Sequence, residues 1–588
     1  MARPLPSPGL REWVFAFLKH SSGLRRELDV RTPSPIRPKS LLLRHHLAFW
    51  VALGLSVVPV LPARVNAARA EEGTSLEKLQ SQIQELWDSV DELEARLVKE
   101  EKKSAWDRIQ MYGDFRIRYA YEHWSLPTQF NFPTFVEMMQ FGSLLQSGQT
   151  IEEILGFLLE NDLPLRERKA HTLSNDEYWD LRFRLKMQAE ISDTIQFHGW
   201  MTVKHFFGAG IVDPVFNGSP NTVYYSFDAA SIPSDTTVKL QRAYATWKPK
   251  AIPIILTVGR QAATDGPPRE LRENRVRQGT PPALLIDAEI DGIMLGLQLD
   301  KIWPSLPPTV VRGCYGTGFE SGFGGGGRIE KSTANIGMFR WVSVEGLKDM
   351  KVAGGCGDTQ LPFLSDKTLL SFGYFRGMNI TDIPSGLTVN FPDPWGSTPQ
   401  RVTATENLGD IDLFGFVLES QNFGVDWFVS AGANLFHPNG KLSQYGFGSL
   451  GNNDPRYAVQ LGSSPGGNPS EDHAGYAVFT GMQFPIRPLR SKFGLEYNYG
   501  SKYWFSFTQG SDDLNNKLAT RGHVVEPYYI QDVTKNFFVR VGYQYYRYNY
   551  SLSGWHIGEP TRVKSGGSYF YPTPKEIHNA YVLLEFLF

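Results

Sequence analysis

Cysteine is nearly absent from this 588-residue sequence, which contains only Cys314 and Cys356. Two cysteines can form at most one disulfide, so a fold held together by several disulfides is excluded. We predict that both lie on neighbouring strands, either as one disulfide or as two free thiols. The sequence also lacks HExxH and CxxCH motifs, and its histidines are scattered. We therefore predict no catalytic residues, no metal site and no cofactor, and expect that the protein is not an enzyme.

Long apolar runs are equally scarce. Only residues 47–63 approach the ~20 apolar residues that a membrane-spanning helix needs. This run follows the basic residues Arg37, Lys39 and Arg44 and precedes small residues, which is the layout of a secretory signal peptide. We predict a signal segment over residues 1–70. A single transmembrane anchor is the alternative.

Positive charge is not in excess, because 59 Lys and Arg stand against 61 Asp and Glu, a net charge of −2. Residues 1–70 contain 11 basic and 3 acidic residues, or +8, so residues 71–588 carry −2 − 8 = −10. An acidic mature chain argues against a nucleic acid as the partner.

A heptad pattern follows the signal segment. Its apolar residues are spaced alternately by three and four: Leu76, Leu79, Ile83, Leu86, Val90, Leu93 and Leu97. This spacing predicts a coiled coil over residues 71–105, in the periplasm, that joins two or three copies of the chain. The alternative is a single amphipathic helix lying on the neighbouring domain.

The hydrophobic period changes to two at about Ile109. Residues 179–191 alternate apolar and polar side chains over a length that exceeds an ordinary soluble strand. Aromatic residues make up 13% of the chain and glycine is plentiful, which favours β-structure. Strand pairs are predicted at 178–191/195–205, 237–247/253–261, 410–420/425–437, 473–486/492–505 and 524–533/537–550. Single strands are predicted near 108–120, 288–299, 307–316, 348–361, 367–378 and 577–588.

The pairs are joined by short turns and separated by long loops, which is the asymmetry of outer-membrane barrels. The predicted fold is all-β: a transmembrane antiparallel barrel of about sixteen strands over residues 106–588. The sequence ends in AYVLLEFLF, in which Phe586 and Phe588 fall on the lipid face and Glu585 on the inner face. An aromatic terminus of this kind resembles the C-terminal signal that the barrel assembly machinery reads.

The signal segment, the heptads, the stretch YGDFRIR at residues 112–118 and the Phe-terminated barrel together resemble outer-membrane porins with an N-terminal coiled coil. The segment GRQAATDGPPRELRENRVRQGTPPALLIDAEIDGIMLGLQLD, residues 259–300, resembles a hallmark of a little-characterised family of Gram-negative porins. This resemblance implies a barrel surrounded by outer-membrane lipid and lipopolysaccharide. It implies no substrate and carries over no functional residues.

The third long loop, residues 262–285, is rich in charge. It contains Asp265, Arg269, Glu270, Arg272, Glu273, Arg275 and Arg277. In porins the third loop often folds inward, so we predict that these residues, above all the four arginines, form the pore constriction. The alternative is a surface loop whose charges pair with one another or with lipopolysaccharide phosphates. Residues 133–164 of the first loop are predicted to form two short helices that act as a plug or as a subunit contact.

The inner face of the first strands is basic, with Arg116, Arg118, Arg182, Arg184, Lys186 and Lys204. Several cations in one lumen concentrate anions, which predicts a mild anion preference. Ion pairing with Asp114, Asp180 and Glu190 is the alternative.

These patterns predict a water-filled channel for passive diffusion of small hydrophilic solutes or ions. The alternative is a barrel sleeve around a partner such as a multihaem cytochrome. Asp512 and Asp513, in the polar stretch 506–523, and Asp410 and Asp412 are candidates for a divalent-cation site; the alternative, which we favour, is that they are solvated loop acids.

Overall fold

A computed structural model of the chain divides into two units, residues 1–99 and 100–588. In the first unit, the described residues are helical and exposed. The predicted signal segment, most of the predicted coiled coil and the first-loop helices lie outside the described residues. None of the described helices is long and apolar enough to cross a membrane. The structure describes residues 85–86, 89–93, 108–131, 166–207, 238–319, 326–331, 339–344, 346–382, 388–393, 396–401, 404, 406–441, 471–508, 510–564, 567–568 and 574–588.

The second unit is a closed antiparallel barrel of sixteen strands, each paired with its neighbours along the chain, with the first strand paired to the last. The predicted fold class and strand number are confirmed. The strands are β1 Ile109–Leu126, β2 His171–Ser192, β3 Ile195–Phe206, β4 Lys239–Trp247, β5 Ile254–Arg260, β6 Asp291–Gln298, β7 Thr309–Phe319, β8 Met350–Gln360, β9 Leu369–Thr381, β10 Asn407–Asn422, β11 Val425–Pro438, β12 His473–Ile486, β13 Ser491–Gly500, β14 Gly522–Asp532, β15 Phe537–Tyr548 and β16 Glu576–Leu587.

The connections alternate in length around the barrel. Those after the even-numbered strands are short, and they lie at the same end as the last residue of the chain. We call this the short-turn end and the opposite one the long-loop end. Beyond the barrel, the long connections contain three small sheets, formed by residues 129–131 with 166–168 and 567–568, 326–331 with 339–344, and 388–393 with 396–401.

The two faces of the wall differ in chemistry, because successive side chains of a strand point to opposite faces. Apolar and aromatic side chains on the outer face are exposed: Phe183, Met201, Val258, Leu295, Phe372, Phe416, Val429, Phe493, Val541 and Phe586. A continuous apolar outer wall on a closed barrel is stable in lipid and not in water. The barrel therefore spans a membrane.

The last strand closes the barrel and follows the predicted alternation. In β16, Leu583 and Glu585 are fully buried on the inner face, whereas Phe586 is exposed on the outer face. Phe588 exchanges two backbone hydrogen bonds with Gly113 of β1, at 2.7 and 3.2 Å. The ring of Phe586 stacks on Phe537 of β15 at a centroid distance of 4.5 Å. The apolar C-terminus is thus an internal member of a closed sheet.

One predicted strand boundary differs in a way that matters for the lumen. The sequence predicts a strand over 492–505, but β13 ends at Gly500. Trp504 and Phe505 then turn inward and are fully buried. The aromatic residues that made 501–505 resemble a strand instead anchor a loop inside the barrel.

Candidate functional site

The connection between β5 and β6, residues 261–290, lies in the lumen. We call it the crossing segment. It includes the predicted third loop, and its residues Ala283, Leu284 and Leu285 are completely buried. They belong to a cluster with Phe375 of β9 and Ile411 of β10, so apolar packing fastens the segment to one side of the wall.

The sequence of the crossing segment lets its two limbs touch. A Cβ on Gly266 would lie 1.9 Å from the carbonyl oxygen of Pro281, and one on Gly279 would lie 2.2 Å from that of Thr264. Only glycine permits such a close backbone approach. Between the limbs is the single helical turn Glu270–Glu273. Arg272 and Glu273 of this turn reach β14 and β15.

All four arginines of the predicted constriction form ion pairs, and three of them reach the barrel wall. Arg269 contacts Asp287 of the same segment at 2.7 Å, and Arg272 contacts Glu526 of β14 at 2.8 Å. Arg275 contacts Asp114 of β1 at 2.7 Å and also pairs with Glu585 of β16. Arg277 contacts Asp358 of β8 at 2.8 Å and Glu419 of β10 at 2.6 Å. The segment is therefore tied by charge to strands on opposite sides of the barrel.

The three acidic residues of the predicted set are paired as well. Asp265 contacts Arg184 of β2 at 3.0 Å. Glu270 contacts Arg277 at 3.4 Å within the segment, and Glu273 contacts Arg540 of β15, also at 3.4 Å. Each charge thus has an opposite charge within reach, which offsets the cost of removing it from water.

A second connection also folds into the lumen. Residues 501–521, between β13 and β14, are termed the inner loop. Asp512 pairs with Arg116 of β1 and contacts Arg182 of β2 and Lys204 of β3 at 2.5 Å each. The neighbouring Asp513 contacts Arg272 of the crossing segment at 2.8 Å. One pair of adjacent acids therefore joins three wall strands to the crossing segment.

Lys517 fastens the other limb of the inner loop. Its ammonium group lies 2.5 Å from Glu496 of β13 and 2.7 Å from Glu526 of β14. Glu526 also accepts the hydrogen bond from Arg272, so both inward segments share this carboxylate. The crossing segment and the inner loop thus form one charge network.

Electrostatics favour the ionised form of the loop acids. Burial raises the pKa of Asp512, but the cations of Arg116, Lys204 and Arg182 outweigh it and hold the pKa well below its usual value. Burial likewise opposes ionisation of Glu273, and nearby Arg540 and Arg272 lower its pKa well below the usual range. Asp512 and Glu273 are therefore charged at neutral pH.

The basic inner face predicted from the first strands is present, and each of its six side chains has an acidic partner. Arg118 contacts Asp180 at 2.6 Å, and Lys186 contacts Asp114 at 3.2 Å. The remaining pairs are Arg116 with Asp180 and Asp512, Arg182 with Asp114, Asp512 and Glu585, Arg184 with Asp114 and Asp265, and Lys204 with Asp512. Part of this pairing comes from the inner loop, which the sequence interpretation did not include.

Sequence reasoning treated Asp512 and Asp513 as solvated loop acids, and this was wrong because both side chains are buried in the lumen. A signal was present. Large aromatic residues, Trp504, Phe505 and Phe507, precede them in what was otherwise a polar connection. Such residues need an apolar environment, so they indicate that the connection packs inside.

The two cysteines lie on adjacent strands, as predicted, and both are free thiols. Cys314 of β7 is opposite Gly354, and Cys356 of β8 is opposite Arg312. They are therefore two register positions apart on the inner face.

Comparison with known proteins places the chain as follows. No curated protein matches it. Among solved structures, it is similar to an anion-selective porin from Comamonas acidovorans, with 10% identity, a TM-score of 0.39, and coverage of 82% of this chain and 99% of that one. It is also similar to the outer-membrane channel DcaP of Acinetobacter baumannii, with 10% identity and a TM-score of 0.35, and to OmpF of Salmonella typhi in complex with daunomycin, with 9% identity and a TM-score of 0.38. Both of these similarities cover 82% of this chain and 97% of the matched chain.

Likenesses at this level carry no argument about function, which has to be derived from the chain's own geometry. A family defined as proteins of unknown function, DUF3373, matches residues 172–588. The match runs from the start of β2 to the last residue and covers well over half of the chain. The protein therefore belongs to the DUF3373 family.

Proposed function

We propose that this protein is a gated outer-membrane channel. In this conformation the crossing segment and the inner loop close the lumen, and small hydrophilic solutes or ions pass when these segments withdraw. The carrying observation is that wall carboxylates Asp114, Glu526 and Glu585, all on the inner face, are completely buried. In a water-filled channel such side chains would be wet, whereas these are covered by the chain's own arginines.

Charge, rather than apolar packing alone, makes this closure reversible. Ion pairs between the network and the wall exchange for hydration when a segment moves into water, so opening has a smaller net cost than exposing an equal apolar surface. The four arginines of the crossing segment act as the constriction in this proposal. They set selectivity when the lumen opens, because solutes then pass beside them.

The open lumen has a mild preference for anions. Withdrawal of the inner loop removes Asp512 from the cluster formed by Arg116, Arg182 and Lys204. The wall of β1–β3 then has six basic side chains and fewer acidic partners. Cations lining a narrow lumen with low-dielectric walls raise the local anion concentration.

The surroundings of the barrel follow from the same proposal. Outer-membrane lipid covers the apolar wall, lipopolysaccharide surrounds the long-loop end, and the short-turn end faces the periplasm of a Gram-negative cell. The N-terminal heptads join two or three copies, and the Phe586–Phe588 terminus is read by the barrel assembly machinery. A sleeve around a multihaem cytochrome is disfavoured, because the partner would have to displace buried residues such as Leu284 and Trp504.

Single-channel recording of the refolded protein in a planar bilayer tests the channel. We expect long closed periods at neutral pH, interrupted by discrete openings, and a reversal potential in a salt gradient that indicates a modest anion preference. A permanently open, large conductance would contradict the gate. No conductance from a folded, heat-modifiable barrel, even in variants that break the charge network, would contradict the channel itself.

A further inference from the structure

A cavity of about 320 Å³ lies between the crossing segment and the inner wall of β3–β9. It lies away from the ion pairs of Asp114, Asp512 and Glu526, and it meets the charge network at Arg312, whose partner Asp358 also contacts Arg277. Ligand pockets in proteins commonly measure roughly 300–1,000 Å³, so the cavity can hold a small organic molecule. The crossing segment forms its roof, so occupation does not require that segment to leave the lumen.

The inner end of the cavity is apolar. Ile286 of the crossing segment, Val352 of β8 and Phe375 of β9 line it, and all three are almost fully buried. Met294 and Ile290 add further apolar surface. Water gains few hydrogen bonds against such walls, so an apolar group is favoured there by about 25 cal/mol for each Å² it removes from water.

The other end lies beside the short turns and is polar. Gln196 of β3 and Thr246 of β4 line it, followed by Lys248, which is exposed at the end of β4. Arg312 of β7, which also lines the cavity, is already tied to Asp358 by a contact of 2.6 Å. None of the described residues that line the cavity is acidic. A ligand at this entrance therefore meets a lysine cation without a competing carboxylate in the lining.

We infer that this cavity binds a small amphipathic anion, with its aromatic or alkyl body against Ile286, Val352 and Phe375 and its carboxylate at Lys248. The geometry supports both ends of such a molecule: an apolar chamber of suitable volume and one cationic entrance. The site is additional to the proposed channel. It exists while the crossing segment lies in the lumen, as in this structure, and does not depend on whether that segment can withdraw.

The chain carries built-in reporters for this inference, because its only two cysteines, Cys314 and Cys356, both line the cavity. The purified, refolded protein is treated with methyl methanethiolsulfonate, and modification of each thiol is followed by mass spectrometry. The probe is 4-phenylbutyrate. At about ten times its Kd, modification should slow about tenfold, because only about a tenth of the cavities are then empty.

Two matched compounds separate the contributions of body and charge. 4-Phenylbutan-1-ol keeps the apolar body without the charge. It should need about a fivefold higher concentration for the same protection, because one partly exposed charge pair changes the dissociation constant by about that factor. Butyrate keeps the charge without the aromatic body and should not protect the thiols. Equal protection by butyrate, or none by 4-phenylbutyrate, would overturn the inference.

Variants locate the two ends. Lys248→Met should raise the half-protecting concentration of 4-phenylbutyrate to that of the alcohol. Lys250→Met is the control, because Lys250 lies two residues away, is exposed, and contacts Asp193 at 2.7 Å instead of the cavity. Val352→Trp fills the apolar end and should abolish protection in a barrel that remains heat-modifiable. An unaltered response of Lys248→Met would overturn the assigned entrance.

Equilibrium dialysis of radiolabelled 4-phenylbutyrate against the unsubstituted protein gives an answer that needs neither thiol reactivity nor a folded variant. Saturable uptake of one molecule per chain, competed by the alcohol and not by butyrate, is expected. Non-saturable uptake would mean partition into detergent or lipid and would overturn the site.

Discussion

The two sides of the lumen are filled by different chemistry. On the side of β1–β3 and β14–β16, which we call the charge-paired side, buried carboxylates such as Asp114 and Glu526 contact arginines and lysines at 2.5–3.2 Å. On the side of β4–β9, the cavity side, the crossing segment packs through Ile286 against Val352 and Phe375 and leaves about 320 Å³ empty.

This difference separates two properties of the barrel, the closure of the lumen and the selection of a small molecule by the cavity. Ion pairs are directional and fail when a single partner is removed, because the remaining charge is then buried without compensation. Apolar contacts are non-directional and change gradually with area. The charge-paired side therefore decides whether the lumen is closed, whereas the cavity side decides what small molecule fits beside the closure.

The strongest way to break this comparison is the double reversal Arg272→Glu with Arg275→Glu. The carboxylate at position 272 would face Glu526 and Asp513, and the one at position 275 would face Asp114 and Glu585. At each buried site, the loss of the ion pairs should destabilise the packed crossing segment by ~3–5 kcal/mol. We expect the crossing segment to leave the lumen, so that open time and conductance rise while anion preference falls. Planar-bilayer recording measures all three.

The control for this double reversal is Lys301→Glu with Arg487→Glu, which makes the same charge change on exposed turns at the short-turn end. It should leave conductance unchanged. If Arg272→Glu with Arg275→Glu also leaves ion selectivity unchanged, the four arginines do not form the constriction.

The next largest effect is expected from Asp512→Asn. This change removes the shared partner of Arg116, Arg182 and Lys204, leaves cations buried, and should destabilise the packed inner loop by ~3–5 kcal/mol. Amide hydrogen exchange should accelerate in residues 510–521, with the strands still protected. Asp472→Asn, at an exposed acid that contacts His437 at 3.0 Å, should leave exchange in the inner loop unchanged.

Acid should also loosen the inner loop on the charge-paired side, as Asp512→Asn does, but over a range of pH. The pKa of Asp512 in the folded protein lies well below its unfolded value of 3.8, so its contribution to stability is present above that value and is lost as the pH falls through the folded pKa. Open probability should therefore rise below about pH 4. Asp512→Asn should reduce this response, and a rise already complete at higher pH would contradict the assignment.

The smallest effect is expected on the cavity side, from Ile255→Val. This change removes one methylene from the cavity wall and should cost about 1 kcal/mol of stability, since the space is already partly empty. Closed periods and ion selectivity should match those of the original protein in the same bilayer assay. An open lumen in this variant would show that apolar packing, and not the charge network, holds the gate.

Much of the barrel could be predicted from the sequence because a wall between lipid and lumen imposes a local rule on every strand. Successive residues of a strand face the lumen and the lipid in turn. Leu583 and Glu585 therefore fall on the inner face and Phe586 on the outer face, and period two predicts this without knowledge of the neighbouring strands. Counting the alternating segments then predicted the strand number and its even count, and the alternation of short turns with long loops indicated an outer-membrane barrel. The heptad helix and the signal segment remain predictions, as does the role of the C-terminal phenylalanines in assembly.

The lumen could be predicted only in part. Because the third loop of porins often folds inward, residues 262–285 were predicted to do so, and that loop does lie in the lumen. The partners of its arginines could not be derived, because Arg272 and Glu526 are 254 residues apart and meet only through the closure of the barrel. Asp512 was missed for the same reason, since its three cationic partners lie more than 300 residues earlier in the chain.

The sequence alone thus determined the local alternation, the all-β class and the number of membrane-spanning strands. These depend on how each side chain partitions between lipid and the interior, a property of short range. Only the tertiary structure decided that the inner loop also enters the lumen, that the charges of both segments are paired, and that an apolar cavity remains beside them. Those outcomes depend on long-range distances, and a buried charge is stable only where the fold brings its partner within a few ångströms.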